Sequence, residues 1–166
     1  AIYLEEEEKN LIKERCCAIS HCPNSNFALN SGVLDVRDLL ERGIKVSLGT
    51  DVSGGYSFSM LDACRQAITA SKVISFSKGT KPLTAAEAFS LATLGGAEAL
   101  EMSDKLGNFM PGKFFDALIV DFFTSPQIPV DNRATLSFEN LFEKFIFCGD
   151  DRCIKTVFVS GKQVSQ

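Results

Sequence analysis

Over the first 75 residues, helical and strand patterns alternate in the order helix, strand, helix, strand, helix. Glu5 to Arg15 has helical composition, with Leu4, Leu11 and Ile12 on one side. Cys16 to Ser20 is a short apolar run that predicts a strand buried on both faces. It closes at His21-Cys22-Pro23, where Pro23 cannot continue the ladder, and Asn24-Ser25-Asn26 reads as a polar loop. Val33 to Arg42 is amphipathic through Val33, Val36, Leu39 and Leu40, and Gly43 follows as a C-terminal cap. Ile44 to Leu48 is a second strand, ended by Gly49-Thr50-Asp51 and the turn Gly54-Gly55. Ser59, with Asp62 three residues on, predicts a capped helix reaching about Ile74. Such alternation specifies parallel α/β architecture, in which right-handed crossovers bring the C-terminal ends of the strands to one face.

The pattern then continues and changes character. Lys78 to Pro82 reads as a loop, and Thr84-Ala85-Ala86-Glu87 is a capping box opening a helix to Ala92. A short helix, Ala97 to Met102, is predicted after Gly95-Gly96. Beyond about residue 104 the turn markers Gly107, Pro111 and Gly112 precede an apolar strand candidate, Phe115 to Phe122. Leu141 to Phe147 is aromatic-rich and fits helix or strand, and Lys155 to Val164 reads as two strands joined at Ser160-Gly161. Two units are therefore expected, residues 1–104 and a smaller β-rich unit over 105–166.

Charge narrows the partners. A net charge of −4 and a pI near 5.1 argue against nucleic acid, whose phosphates need clustered Lys and Arg. The run Glu5 to Glu8 reads as the acidic first turn of a helix rather than a binding patch. No apolar run approaches the roughly 20 residues that span a bilayer, so no membrane partner is expected. The N-terminus lacks the basic-then-apolar pattern of a secretion signal, and the chain begins with Ala1, as a trimmed sequence or one starting inside a longer protein would. None of the six cysteines forms a Cys-x-x-Cys pair, and reduced, buried thiols in a cytoplasmic protein are expected, Cys16 and Cys17 included.

His21 and Asp51 both fall at strand C-terminal ends, where α/β barrels place their chemistry. A carboxylate at Asp51 can ligate a metal or move a proton, or it can simply cap the next turn. His21 is the only histidine, and both a structural and a functional role are open to it. Catalytic zinc needs about three protein ligands, mostly histidine, so this chain cannot build a complete site without recruiting Cys22. Ser53-Gly54-Gly55 is not a nucleophile elbow, no phosphate-binding loop is present, and Gly95-Gly96 reads as a tight helix connection.

These residues fall into a known pattern. His21-Cys22-Pro23-Asn24-Ser25-Asn26 resembles the seventh-strand motif of amidohydrolase-superfamily deaminases. Leu48-Gly49-Thr50-Asp51-Val52-Ser53-Gly54-Gly55 resembles the eighth-strand motif of the guanine deaminases among them. Ala92-Thr93-Leu94-Gly95-Gly96-Ala97, then Gly107-Asn108-Phe109 with Pro111-Gly112-Lys113, is similar to that family's path from barrel to β-sandwich. Gly149-Asp150-Asp151-Arg152 and Val159-Ser160-Gly161-Lys162 are similar to its C-terminus.

The resemblance implies an α/β fold, with strands seven and eight of a (β/α)8 TIM barrel followed by the C-terminal part of a small β-sandwich domain. It implies Zn2+-dependent hydrolysis of the small-molecule purine guanine to xanthine and ammonia. In that reading Asp51 is a metal ligand, a catalytic proton acceptor and a substrate contact, with His21 as a further substrate contact. A homodimer is implied by the family alone. The family's first-strand His-x-His, its histidines after strands five and six, and its guanine-binding arginine and glutamine have no counterpart here. The expectation is therefore a C-terminal portion, inactive alone, that exposes apolar surface from Ile19, Val46 and Leu48. Rival readings are another amidohydrolase, such as a chlorohydrolase or cytosine-type deaminase, and a non-catalytic shortened paralogue serving as an interaction protein.

Overall fold

A computed structural model describes residues 1–122 and 137–165. The alternation is present: helix α1 (Glu6–Glu14), strand β1 (Ala18–His21), helices α2 (Pro23–Ala28) and α3 (Val36–Glu41), strand β2 (Lys45–Leu48) and helix α4 (Met60–Lys78). Strands β1 and β2 pair in parallel, with Ala18 opposite Lys45 and His21 opposite Leu48. Side chains alternate across a strand, so Ile19, His21, Val46 and Leu48 share one face. That face meets the core, where Ile19, Val46 and Leu48 join Leu39 of α3 and Cys64, Ala67 and Ile68 of α4. The expected exposure of Ile19, Val46 and Leu48 is thus overturned, since all three are buried beneath the helices. The opposite face is open at Ser20, so β1 is covered on one side rather than two.

Three local expectations also fail for identifiable reasons. Asn24 to Asn26 belong to α2: Pro23 ends the strand but sits at the first helical position, where its fixed φ suits a helix and its missing N–H costs nothing. Cys16 and Cys17 are exposed in the turn before β1, with Cys16 in the left-handed region at φ 53°. Gly95 and Gly96 lie inside helix α6 (Leu94–Ala99), not before it. A Cβ on Gly95 would stand 2.8 Å from the Val46 backbone oxygen, so the missing side chain lets α6 lie directly on β2.

Local caps set the helix ends. Thr84 Oγ1 accepts from the Glu87 N–H at 3.1 Å while Glu87 Oε2 accepts from the Thr84 N–H at 2.8 Å, which starts helix α5 (Ala85–Ala92). Asp35 caps α3 by accepting from the Asp38 N–H at 3.2 Å, which moves that helix's start from the expected Val33 to Val36. Helix α4 runs past Ile74 and stops at Gly79, whose φ of 66° is the left-handed turn that ends a helix.

The remaining strands, β3 (Ala117–Val120), β4 (Ile154–Val159) and β5 (Lys162–Ser165), form an antiparallel sheet in the order β3-β4-β5. The β4–β5 turn is Ser160-Gly161, with φ of 50° and 77° at these residues, as a tight hairpin requires. The ambiguous aromatic segment is a helix, α7 (Phe138–Cys148). It packs on α4 and α5, with Phe142 edge-on to Phe89 at a ring-centre distance of 5.3 Å. Arg65 of α4 donates to the backbone oxygens of Ile146, at 2.7 Å, and Gly149.

Candidate active site

The loop after β2 carries the candidate residue Asp51. A Cβ on Gly49 would meet Ser20 Oγ at 2.8 Å and Cys22 Sγ at 2.9 Å, so a side chain there would displace one of them. Ser20, Cys22 and Gly49 therefore share the side of the strands away from the core. Asp51 follows, exposed and in the left-handed region at φ 48°, which Asp tolerates better than most residues. Its backbone oxygen accepts from the Gly55 N–H at 2.7 Å, closing the loop on itself. Its carboxylate makes no hydrogen bond or ion pair among the described residues, so it is not the capping group that the sequence left open. The side chain stays close to the loop: a Cβ on Gly54 would meet Asp51 Oδ2 at 3.0 Å and Ser25 Oγ at 2.8 Å.

Asn24 holds this loop from below. It is 2% exposed, and its amide works in both directions. Oδ1 accepts from the Tyr56 N–H at 2.9 Å and Nδ2 donates to Asp62 Oδ2 at 3.0 Å. Ser59 caps α4 by accepting from the Asp62 N–H, but the Asp62 carboxylate turns to Asn24 instead of completing a capping box. The polar run Asn24-Ser25-Asn26 reads as a loop in the sequence, and the pattern singles out neither Asn24 nor Ser25. The one local signal for the helix is Pro23, which suits a first helical position.

His21 and Asp51 do not converge. The His21 ring lies on the core face of β1, 1% exposed, and neither ring nitrogen has a hydrogen-bond partner among the described residues. Burial pushes its pKa down to about 4, so it is neutral near pH 7. Cys22 does stand on the Asp51 side. Burial pushes its thiol up, and the nearby Asp51 charge adds to the effect. Among the described residues no three His, Cys, Asp or Glu side chains gather as a metal site. Among the described residues the loop after β2 offers the Asp51 carboxylate, which fits one coordination position but not a whole metal site.

A profile of the amidohydrolase family matches residues 1–164. The chain belongs to the amidohydrolase family. The rat guanine deaminase is 48% identical to it across 98% of this chain and 37% of the rat protein. The structure of guanine deaminase from C. acetobutylicum with guanine bound in its active site superposes with a TM-score of 0.86 at 36% identity, covering 98% of this chain and 37% of that one. A zinc-bound adenosine deaminase from Xanthomonas campestris gives a TM-score of 0.81 at 27% identity, covering 99% of this chain and 35% of its own. This amidohydrolase chain spans 37% or less of the length of these curated relatives. The amidohydrolases it resembles are metal-dependent, which suits an unpaired carboxylate at a strand end. Among the described residues no helix is long and apolar enough to cross a membrane.

Proposed function

We propose that this chain supplies the aspartate-bearing part of a zinc-dependent site that hydrolyses guanine to xanthine and ammonia. The observation that carries it is Asp51: an exposed, unpaired carboxylate at the C-terminal end of a parallel strand, in a chain 48% identical to a guanine deaminase. In this reading β1 and β2 are strands seven and eight of a (β/α)8 barrel, and β3-β4-β5 is the C-terminal part of a small β-sandwich, with the division near residue 104.

Zinc, when bound, supplies a water that is nucleophilic near neutral pH. Asp51 contributes one ligand oxygen, and a carboxylate oxygen there accepts a proton during attack and returns it to the leaving ammonia. The remaining ligands and the contacts that recognise the purine come from residues outside these 166. His21 takes no part in substrate contact in this reading, because its ring is held in the core.

Two measurements test this. The purified chain is expected to show neither tightly bound zinc nor guanine turnover, and stoichiometric zinc with turnover would overturn the incomplete-site reading. In the holoenzyme that carries these residues, Asp51→Asn is expected to lower kcat by about 100-fold or more and to weaken zinc retention. Wild-type turnover in that variant would remove Asp51 from the site.

A further inference from the structure

We infer that Asn24 is a positioning residue for Asp51: its buried amide clamps the Asp51 loop to the first turn of α4 and so sets where the carboxylate points. The inference rests on the reading of Asp51 as a site carboxylate. Asn24 is close to Asp51 in neither sequence nor chemistry, yet each end of its amide is committed. One end takes the N–H of Tyr56, the residue after the Asp51–Gly55 turn, and the other reaches Asp62 on a different element.

The surroundings are cut to fit this group. A Cβ on Gly55 would come within 2.8 Å of Asn24 Oδ1, so the loop approaches the amide as closely as backbone can. Asp51 holds a left-handed conformation within the same turn, and an exposed carboxylate on a short loop has no other described partner to fix it. A ligand or proton acceptor must be held within about half an ångström of its productive position. Of the described side chains, only that of Asn24 hydrogen-bonds to the backbone of residues 51–56.

Only a group that accepts and donates at once does this. Asn24→Asp keeps the acceptor for Tyr56 but sets a carboxylate against Asp62, a repulsion that Asp62→Asn converts back into a donor–acceptor pair with the roles reversed. The test uses the holoenzyme at pH 8, where a proton shared between two carboxylates is disfavoured. Asn24→Asp is expected to lower kcat at least tenfold and to speed hydrogen exchange in the peptide spanning residues 51–58. The double variant Asn24→Asp/Asp62→Asn is expected to recover most of both. Packing alone would not be rescued by moving a proton donor across the pair. Wild-type kcat in Asn24→Asp overturns the inference, and so does a double variant no better than the single one. Asp51→Asn measured alongside separates the two claims. Wild-type turnover there overturns the reading of Asp51 itself, whereas its loss together with an unimpaired Asn24→Asp overturns the clamp alone.

Discussion

Gly55 stands against Asn24 with no room for a side chain: a methyl group on it would lie 2.8 Å from Asn24 Oδ1 and 2.5 Å from the Thr50 backbone oxygen. The amide could yield, but a backbone oxygen at 2.5 Å cannot yield without moving the Asp51 loop. Replacing glycine by alanine usually gains a little by restricting the unfolded chain, about 0.4–1 kcal/mol. Here the clash wins. Gly55→Ala is expected to cost about 1–3 kcal/mol, as overpacking does, read from the urea midpoint at unchanged m-value.

Acid should destabilise the chain through His21. Its folded pKa of about 4 lies below the ordinary 6.5, so the unfolded chain binds the proton more readily. There is no penalty above pH 6.5. Stability is lost as pH falls from there towards 4, and the loss is complete below that value. At pH 5 the loss is about 2 kcal/mol by linkage. His21→Leu, similar in volume and without nitrogens to leave unpartnered, is expected to be no less stable at pH 7 and to flatten the acid limb. Parallel acid limbs for wild type and His21→Leu would show that other groups drive the loss.

What could be read from the sequence was local, and what could not was remote. The Thr84–Glu87 box and the Ser160-Gly161 turn depend on neighbours a few residues apart, and each formed where its residues stand. Asp51 was legible in the same way, from a strand end followed by glycines. Asn24 was not, because its partners Tyr56 and Asp62 lie 32 and 38 residues away. The burial of Ile19, Val46 and Leu48 was missed because it depends on which face of β1 and β2 the helices cover, and a strand read as buried on both faces cannot say. In α7, Phe138, Leu141, Phe142, Phe145 and Ile146 do follow helical spacing, but their aromatic bulk suits a strand equally well.

The Thr84 hydroxyl holds the first turn of α5. Removing the hydroxyl leaves the Glu87 N–H without its partner at the first turn of α5, while Glu87 keeps its ion pair with Arg37 at 2.9 Å. Thr84→Ala is expected to cost about 1 kcal/mol in thermal or urea unfolding, and Thr84→Ser to cost less than half of that.

Arg65 joins the helix layer to the tail. Its guanidinium donates to the backbone oxygens of Ile146 and Gly149, groups at the end of α7 that have no helical partner of their own. Ile146 is fully buried, so its oxygen cannot turn to solvent when the guanidinium is removed. Hydrogen bonds from a charged group contribute about 1.5–3 kcal/mol, and Arg65→Ala is expected to lose about that much. Lysine offers a single flexible ammonium in place of a planar fork, so Arg65→Lys should recover only part of the loss. The signature that separates this joint from general destabilisation is local: limited proteolysis should cut Arg65→Ala near residues 138–153 under conditions that leave α4 and α5 intact. Equal protection of that stretch in both proteins would place the cost of Arg65→Ala elsewhere.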